Sequence, residues 1–374
     1  MRMFLFGFTI VVSVSLATVP ASLQETITSP YDVVEGWMTP FADNGYASGS
    51  HSGVFAESPD RIFVTQRGEI QLPDQLPSGW AGFVGSIGIN ALTPDEGTRE
   101  WRNCIFILDG NGTLVDTWDQ WDHLYEGSNG PHRIKISPYD PDKRVFVVHE
   151  TGHAIHVFSN DGAELLMTLG EFGVGGNDET HFGRPQDVGF LPDGSILVAD
   201  GLDNSRVVKL DAQGNYITHF GEKGIRRGQF DGVHAVTTDS IGRIYVADRN
   251  NKRIQVFNET TRAASWYHPN IAPIAVWPGF EFPNDIVISG YDVWVADNKP
   301  PRMVKLDSNG NEQIAWNLEG DSPGQFQELH QFSVDKDKNW YGADNLLGRT
   351  MKFSPKESAT FSDLIQPDED LLPK

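Results

Sequence analysis

The sequence predicts an all-β fold, a six-bladed β-propeller closed by an N-terminal strand. The first observation is a repeated pattern, in which an apolar-Val-Ala-Asp segment is followed by a loop, an arginine and an alternating strand. The second is a spacing of about 50 residues, which places the ends of successive copies at Leu108, Phe158, Leu210, Phe257, Leu306 and Phe353. The third is the lack of a long helical period, which disfavours helical solenoids and βαβ folds.

Four copies of the pattern are complete and two are degenerate. The complete copies are Ile196–Asp200 with Arg206–Leu210, Ile244–Asp248 with Arg253–Phe257, Val293–Asp297 with Arg302–Leu306, and Trp340–Asp344 with Arg349–Phe353. The degenerate copies are Ile62–Gln66 with Cys104–Leu108, and Val145–His149 with His153–Phe158. Glycine-containing turns within the units predict small antiparallel sheets, which bury their faces when six pack around an axis. We interpret the recurrent Asp and Arg as architectural residues of these units.

The two ends of the chain are assigned separately from the repeats. Residues 1–21 combine Arg2, an apolar run and small residues, which is typical of a signal peptide and predicts a secreted or periplasmic protein. The segment Tyr31–Trp37 resembles the outer strands of the repeats, so we expect it to complete the last blade. A disordered linker before the domain is the alternative. We assign residues 22–358 to the propeller and 359–374 to a C-terminal tail.

The composition limits the partners of the protein. The chain has 51 acidic and 29 basic residues, and its net charge of −22 repels nucleic acids and anionic membranes. A single cysteine, Cys104, excludes an intramolecular disulfide. We expect a monomer without nucleic-acid or membrane partners. Acceptor patterns at Asn111 and Asn258 would carry glycans in a host that glycosylates them, which would make the protein a glycoprotein.

Three histidines occupy the same position in alternating units. The strand that opens each unit lines the axis of a propeller, and its entry residues include His132, Gln186, His234, Asn284 and His330. The histidines lie in the second, fourth and sixth units, so a ring of six places them about 120° apart, facing one point. A single histidine at such a place would be interpreted as structural, but three that converge indicate a metal site.

The predicted metal is Zn²⁺ on His132, His234 and His330. Three neutral imidazoles with an open fourth position are the ligand set of catalytic zinc sites. Another transition metal is the alternative, because imidazole also binds copper, iron and nickel. Gln186 and Asn284 are weak zinc ligands, and we expect them to donate hydrogen bonds to a substrate or to water.

These residues make the chain similar to the peptidyl-α-hydroxyglycine α-amidating lyases, which are six-bladed propellers of NHL repeats with a zinc ion on three histidines. The likeness covers about residues 50 to 355. The sequences around the family's histidines are similar to three segments of this chain, Pro131-His-Arg-Ile, Val233-His-Ala-Val and Leu329-His-Gln-Phe. Two arginines of the family resemble Arg67, in Gln-Arg-Gly, and Arg249, in Ala-Asp-Arg-Asn-Asn.

The resemblance implies a metal-dependent lyase that acts on a small-molecule or peptidyl substrate. Zinc would polarise the substrate hydroxyl, and Arg67 or Arg249 would bind a carboxylate or stabilise negative charge. The tyrosine proposed as the family's base is replaced by Leu202. We therefore consider His149, which replaces the aspartate of the repeat, as the candidate base, with a hydrogen-bonded structural role as the alternative.

The resemblance bears on calcium as well. The carboxylate that binds the family's structural Ca²⁺ is replaced by Gln331, which argues against Ca²⁺ at that place. Asp285, which follows Asn284, is available for a related role.

Two other functions fit the sequence. A metal-dependent hydrolase or lactonase needs only the open metal position and an activated water. A non-catalytic propeller that binds a protein or a glycan is a further alternative, because the fold alone does not determine the function.

Overall fold

A computed structural model describes residues 28–76, 83–85, 99–258 and 272–367 of the protein. The predicted signal peptide and the last part of the tail, residues 368–374, lie outside these described residues. Within them the fold is all-β, as predicted, with six four-stranded sheets and one three-stranded sheet. Short 3₁₀ helices span Asp119–Leu124, Arg249–Asn251 and Phe361–Asp363.

The four-stranded sheets follow one another along the chain, and we number them 1 to 6. Strands β1 (Tyr31–Val33) and β2 (Tyr46–Ser48) precede sheet 1. Sheet 1 contains β3 (His51–Ser58), β4 (Arg61–Gln66), β7 (Ile105–Leu108) and β8 (Leu114–Thr117). Strands β5 (Glu69–Gln71) and β6 (Arg99–Glu100) join β2 in the three-stranded sheet. Sheet 2 contains β9 (Ile134–Ile136), β10 (Val145–His149), β11 (Ala154–Phe158) and β12 (Leu165–Leu169).

The remaining sheets repeat this antiparallel order. Sheet 3 contains β13 (Pro185–Phe190), β14 (Ile196–Asp200), β15 (Arg206–Leu210) and β16 (Tyr216–Phe220). Sheet 4 contains β17 (Val233–Thr238), β18 (Arg243–Asp248), β19 (Arg253–Asn258) and β20 (Ala275–Pro278). Sheet 5 contains β21 (Pro283–Ser289), β22 (Asp292–Asp297), β23 (Arg302–Leu306) and β24 (Glu312–Asn317). Sheet 6 contains β25 (Leu329–Val334), β26 (Trp340–Asp344), β27 (Arg349–Pro355) and β1.

Contacts between sheets run through their first two strands. Strand β3 contacts β9, β10 contacts β13, β13 contacts β17, β17 contacts β21, and β21 contacts β25. Strand β25 in turn contacts β3, so sheet 6 packs against sheet 1. The middle strands are buried on both faces, which explains their continuous apolar runs, whereas outer strands such as β12 and β16 alternate between partly buried and exposed residues.

In sheets 3 to 6, which carry the complete pattern, the recurrent Asp binds the loop that precedes the sheet. Asp200 accepts a hydrogen bond from the backbone N–H of Gly183 at 2.7 Å and one from Nε of Arg206 at 2.8 Å. The same carboxylate–guanidinium pair recurs at Asp248–Arg253 and Asp297–Arg302. These residues therefore satisfy backbone donors where the first strand of a sheet begins, in agreement with the architectural role expected from the sequence.

The N-terminal strand packs into the hydrophobic core between sheets 5 and 6. Strand β1 pairs antiparallel with β27, and Tyr31 lies opposite Pro355. The Tyr31 ring meets Trp340 edge-on at 6.3 Å, and Trp340 stacks on Phe353 at 3.9 Å between ring centroids. Ile365 of the tail is fully buried in the same cluster, and its N–H donates to the Tyr31 hydroxyl at 2.8 Å.

No helix among the described residues is long and apolar enough to cross a membrane.

The packing of β1 predicts that Tyr31→Ala destabilises the whole protein. Tyr31 is 3% exposed, so truncating it removes buried aromatic surface, and we expect the free energy of unfolding to fall by about 3 kcal/mol. Tyr291→Ala is the matched control, because Tyr291 is 84% exposed and its loss should change stability by less than about 0.5 kcal/mol. Urea denaturation measures both. Equal stability of the two variants would show that β1 lies outside the cooperative core.

Candidate metal centre

The three histidines lie where the first strands of sheets 2, 4 and 6 begin. His234 and His330 are each the extra residue of a β-bulge against the second strand of their sheet. His132 stands just before β9, and its backbone N–H donates to Val148 O at 2.7 Å. A bulge turns the side chain of its extra residue out of the regular strand alternation. This local geometry directs the side chains of three separate sheets toward one another.

The histidine rings converge in a buried cluster. One ring nitrogen of each histidine lies within 4.8 Å of those of the other two. The ring centroids of His132 and His330 are 4.5 Å apart, and His234 lies 5.2 Å from His330 and 5.6 Å from His132. Zinc bonds of ~2.1 Å at tetrahedral angles place ligand nitrogens about 3.4 Å apart. Small rotations of the rings would therefore give the geometry of a zinc site.

The other nitrogen of each ring is held by the backbone of the next sheet. Nδ1 of His132 lies 2.8 Å from Gln186 O, Nδ1 of His234 lies 2.8 Å from Asn284 O, and Nδ1 of His330 lies 2.6 Å from Ser52 O. A carbonyl oxygen only accepts, so each Nδ1 carries the proton and donates it. Nδ1 of His234 also lies 3.2 Å from Nη2 of Arg133, but the shorter contact with Asn284 O assigns the proton to Nδ1 there as well. The lone pair of each ring is thereby left on Nε2, which is how a backbone carbonyl orients a metal-binding histidine.

Burial keeps the three imidazoles neutral. It lowers the pKa of His132 and His234 well below the ordinary value of 6.5 and that of His330 to about 3. Neighbouring charges add to the effect of burial: Arg67 lowers the pKa of His132, and Arg249 lowers that of His234. Because a metal ligand must be deprotonated, the three side chains fit a transition metal at neutral pH without losing protons.

The two predicted arginines lie beside the histidines. Each follows the second strand of its sheet, Arg67 after β4 and Arg249 after β18. The guanidinium of Arg249 lies 4.4 Å from the ring centroid of Phe282. Burial lowers the pKa of both arginines; that of Arg249 falls to about 10, so Arg249 stays charged at neutral pH. The structure thus brings Arg67 and Arg249 close to the three histidines.

A carboxylate that the sequence analysis missed also lies beside the histidines. Oε2 of Glu150 is 3.8 Å from Nε2 of His132 and 3.9 Å from the Arg67 guanidinium, and its other oxygen pairs with Arg184. Glu150 is only 5% exposed. It follows the second strand of sheet 2, as Arg67 and Arg249 do in sheets 1 and 4. Aligning the residue after the second strand in every repeat would have found it.

In sheet 3 the residue that follows the second strand is Gly201, which has no side chain. A Cβ on Gly201 would lie 1.7 Å from Val233 O, so the backbones approach too closely for any residue but glycine. The backbone N–H of the following residue, Leu202, lies 3.4 Å from Arg184 O, and its aliphatic side chain has no proton acceptor. No base can therefore come from this position of sheet 3.

His149 lies in a separate cluster at the end of β10, a middle strand of sheet 2. Its Nε2 is 2.9 Å from Ser128 Oγ, its Nδ1 is 3.3 Å from Nε2 of His156, and its ring packs against Tyr125 and Phe172. Burial and the neighbouring histidine lower its pKa to about 3, which makes it a weak base. These contacts do not bring His149 together with the three histidines.

The two amides between the histidines bind protein groups. Gln186 donates from Nε2 to Arg184 O at 3.0 Å. Asn284 donates from Nδ2 to Oε1 of Glu328 at 3.2 Å, and the Glu328 carboxylate also accepts from Asn345. Glu328 is a second acidic group near the centre that the sequence analysis missed.

A buried arginine lies directly below the histidines. Arg133 has no exposed surface, and its guanidinium pairs with Asp285 and donates to the backbone oxygens of Asn284, at 2.5 Å, and of His330, at 3.0 Å. Gln331 lies at the same level and hydrogen-bonds to Ile134. The Asp285 carboxylate, considered above for a role related to calcium, thus already has a cationic partner within the chain.

The buried histidines predict loss of stability in acid. The pKa values are lowered for His51, His132, His149, His156, His234 and His330. Between pH 6.5 and about 4, the unfolded metal-free chain binds more protons than the folded chain. The stability that these neutral histidines contribute is therefore fully present above pH 6.5 and is lost as the pH falls. His51→Phe should reduce the slope of unfolding free energy against pH by up to about 1.4 kcal/mol per pH unit. The exposed His123→Phe is the control. An unchanged slope in His51→Phe would contradict the assignment.

Comparisons with known proteins agree with the resemblance found in the sequence. A family model described as the NHL repeat matches residues 230–257. The chain is 33% identical over 131 residues to the probable peptidyl-α-hydroxyglycine α-amidating lyase pgal-1 of Caenorhabditis elegans, which covers 34% of this chain and 37% of that protein. It is 32% identical over 241 residues to the peptidyl-glycine α-amidating monooxygenase of Mus musculus, which covers 61% of this chain and 24% of that protein.

These alignments span less than two fifths of the length of the curated relatives. Among solved structures, a protein of unknown function from Bacteroides thetaiotaomicron VPI-5482 matches with a TM-score of 0.52 and 12% identity, over 84% of this chain and 71% of that chain. This match concerns the fold alone. The predicted resemblance is confirmed: the chain contains an NHL repeat and is similar to peptidyl-α-hydroxyglycine α-amidating lyases.

Proposed function

We propose that the protein is a secreted, metal-dependent lyase that cleaves a peptidyl or small α-hydroxylated substrate at an axial Zn²⁺ held by His132, His234 and His330. One observation carries the proposal: three neutral histidines from alternating sheets converge, and each donates Nδ1–H to the carbonyl of the next sheet. Similarity to amidating lyases supports the reaction class. The signal-like residues 1–21 support export from the cell.

The proposal also concerns how the six four-stranded sheets are arranged. We infer that the six four-stranded sheets are the blades of one propeller and that β1 closes the ring by joining sheet 6. The contact of β25 with β3 and the pairing of β1 with β27 support this inference. In this arrangement the first strand of each sheet lines the axis, and the histidines face one another across it.

The reaction has a simple balance of atoms and electrons. The hydroxyl proton of the substrate leaves, its oxygen forms a carbonyl, and the C–N bond breaks so that the nitrogen departs as an amide and takes up a proton. Bound zinc would supply Lewis-acid polarisation of the hydroxyl. Arg67 and Arg249 would bind the substrate carboxylate as charged donors in a mostly buried setting.

Glu150 replaces His149 as our candidate for the proton acceptor. Its carboxylate is the acidic group nearest to the Nε2 of His132, whereas the hydrogen bonds of His149 go to Ser128 and His156. The contacts with Arg67 and Arg184 hold the carboxylate in place. Such an acceptor would also suit a hydrolase or lactonase, because it could take a proton from water instead of from a substrate hydroxyl. Hydrolysis is therefore the second candidate function.

The metal proposal predicts one transition-metal ion per chain. Zinc should dominate, and His132→Ala, His234→Ala and His330→Ala should each lower the metal content severalfold, because two imidazoles hold zinc poorly. Metal analysis by mass spectrometry after dialysis provides the measurement. His181→Ala is the matched control, since His181 pairs with Asp178 and Glu171 on the surface. A wild-type protein without stoichiometric metal would refute the metalloenzyme proposal.

The lyase proposal predicts release of glyoxylate from an N-acyl-α-hydroxyglycine. We expect Glu150→Gln to lower kcat by about 10²-fold or more, because it removes the proton acceptor and keeps the shape. Metal content should stay at the wild-type level. Glu164→Gln, at an exposed position, is the matched control. If the metal-loaded protein releases no glyoxylate but hydrolyses esters or lactones, it is a hydrolase and the lyase proposal is wrong.

A further inference from the structure

Arg249 reaches the centre with its hydrogen-bond donors free. Its guanidinium forms no hydrogen bond with any of the described residues, and its buried Nε has no partner among them. The acidic side chains whose charges act on Arg249 are Glu328 and Glu150, and these bind Asn284 and Arg184 instead. The N–H groups of Arg249 are therefore available to a ligand.

The neighbouring Arg253 shows the opposite arrangement in the same sheet. Its Nε donates to Asp248 at 2.7 Å, and its other two nitrogens donate to backbone oxygens of the preceding loop. A guanidinium that is held in this way has few donors left for a ligand. Arg249 must be held by another kind of contact.

That contact is the aromatic ring of Phe282, in the loop before sheet 5. Cζ of Arg249 lies over the ring, 4.4 Å from its centroid. The face of an aromatic ring attracts a cation through its quadrupole, and this attraction does not require an N–H donor. The ring can therefore hold the guanidinium while the donors, which lie in the guanidinium plane, stay free.

The backbone of sheet 5 fixes Phe282. Its N–H donates to Oδ1 of Asp297 at 2.7 Å, and its carbonyl oxygen accepts from the N–H of Asn298 at 3.0 Å. Two residues further on, the Asn284 oxygen accepts the Nδ1–H of His234 at 2.8 Å. The ring and the orientation of His234 thus depend on the same segment of chain.

No other sheet carries an aromatic residue at the place of Phe282. The place lies two residues before the histidines of sheets 2, 4 and 6 and before the equivalent Ser52, Gln186 and Asn284 of the other sheets. The residues found there are Ser50, Gly130, Arg184, Gly232 and Glu328. Because five sheets form without an aromatic ring here, the repeat does not require one.

A second cation approaches the same ring. Nζ of Lys299 lies 3.4 Å from the ring centroid of Phe282. Lys299 is exposed, whereas Nε of Arg249 is buried. Since the attraction between a cation and an aromatic ring is larger when the cation has lost its water, the contact with Arg249 is the stronger one.

We propose that Phe282 is a positioning residue, whose ring holds the Arg249 guanidinium in place and leaves its N–H donors free for the carboxylate of the substrate. The inference rests on the proposed function, in which Arg249 binds that carboxylate. A carboxylate of the chain would hold the guanidinium as well, but it would occupy the same donors. Phe282 acts through Arg249 and not on the reacting atoms.

The contact itself is tested by the NMR signal of the Arg249 Nε–Hε group in protein labelled with ¹⁵N-arginine. The signal is identified by its absence in Arg249→Met. A proton over the face of an aromatic ring resonates upfield, so the signal should move downfield in Phe282→Leu and stay near its wild-type position in Phe282→Tyr, which keeps the ring. An unchanged signal in Phe282→Leu would refute the proposal.

The free donors are tested with N-acetylglycine, which has the carboxylate but lacks the reactive hydroxyl, and with the neutral N-acetylglycinamide. We expect Phe282→Leu to weaken N-acetylglycine binding at least roughly threefold and to leave N-acetylglycinamide unchanged, in titrations followed by NMR. Phe282→Tyr should bind both as the wild type does. Phe361→Leu is the matched control, because the Phe361 ring also meets a cation, Lys338, at 4.4 Å but is 66% exposed.

Arg249→Met separates this inference from the proposed function. If Arg249→Met weakens N-acetylglycine binding and Phe282→Leu does not, Phe282 is not a positioning residue, whereas the role of Arg249 stands. If the wild type does not bind N-acetylglycine, or Arg249→Met binds it equally well, the role that the proposed function gives to Arg249 is wrong and the inference fails with it.

Discussion

The candidate site depends on one repeated hydrogen bond, from each of the three histidines to the carbonyl at the equivalent position of the next sheet. His132 reaches sheet 3, His234 reaches sheet 5 and His330 reaches sheet 1. Each bond fixes the tautomer of a ring, aims its second nitrogen at the common centre, and ties two neighbouring sheets together. The last of the three joins residues 278 positions apart in the chain. Architecture and site geometry are thus set by the same contacts, and neither can shift without the other.

The layer beneath the histidines shows how the chain stabilises so many polar groups at its centre. Arg133 holds backbone oxygens of two sheets and a carboxylate of one of them while it is wholly buried. A buried charge is tolerated only when it is paired and hydrogen-bonded, and removing one partner of such a pair typically costs about 3–5 kcal/mol. Lys135 and Asp187 extend the network to the next sheet. The centre is therefore held by charge pairing as much as by apolar packing.

The sequence predicted the features that repeat and missed those that occur once. The spacing of the Val-Ala-Asp pattern located the middle strands, and the shared position of His132, His234 and His330 predicted that their side chains would converge. Glu150 and Arg133 escaped notice because each occupies a repeat position that carries a different residue in the other sheets. His149 was chosen as a base from its place in the repeat, but its ring packs against His156 and Tyr125, and this direction depends on the packing at the end of β10. Periodicity gives position along a strand, whereas the partners of a single side chain depend on three-dimensional contacts.

The burial of Arg133 also determines how molecules could travel through the protein. Among the described residues, Arg133 with Asp187 and Asp285 lies between the histidines and the cavity lined by the later halves of the first strands, so a molecule could pass from one to the other only by breaking these buried ion pairs. A ligand of the histidines would therefore enter and leave on the side of the sheets where Arg67, Glu150 and Arg249 follow the second strands.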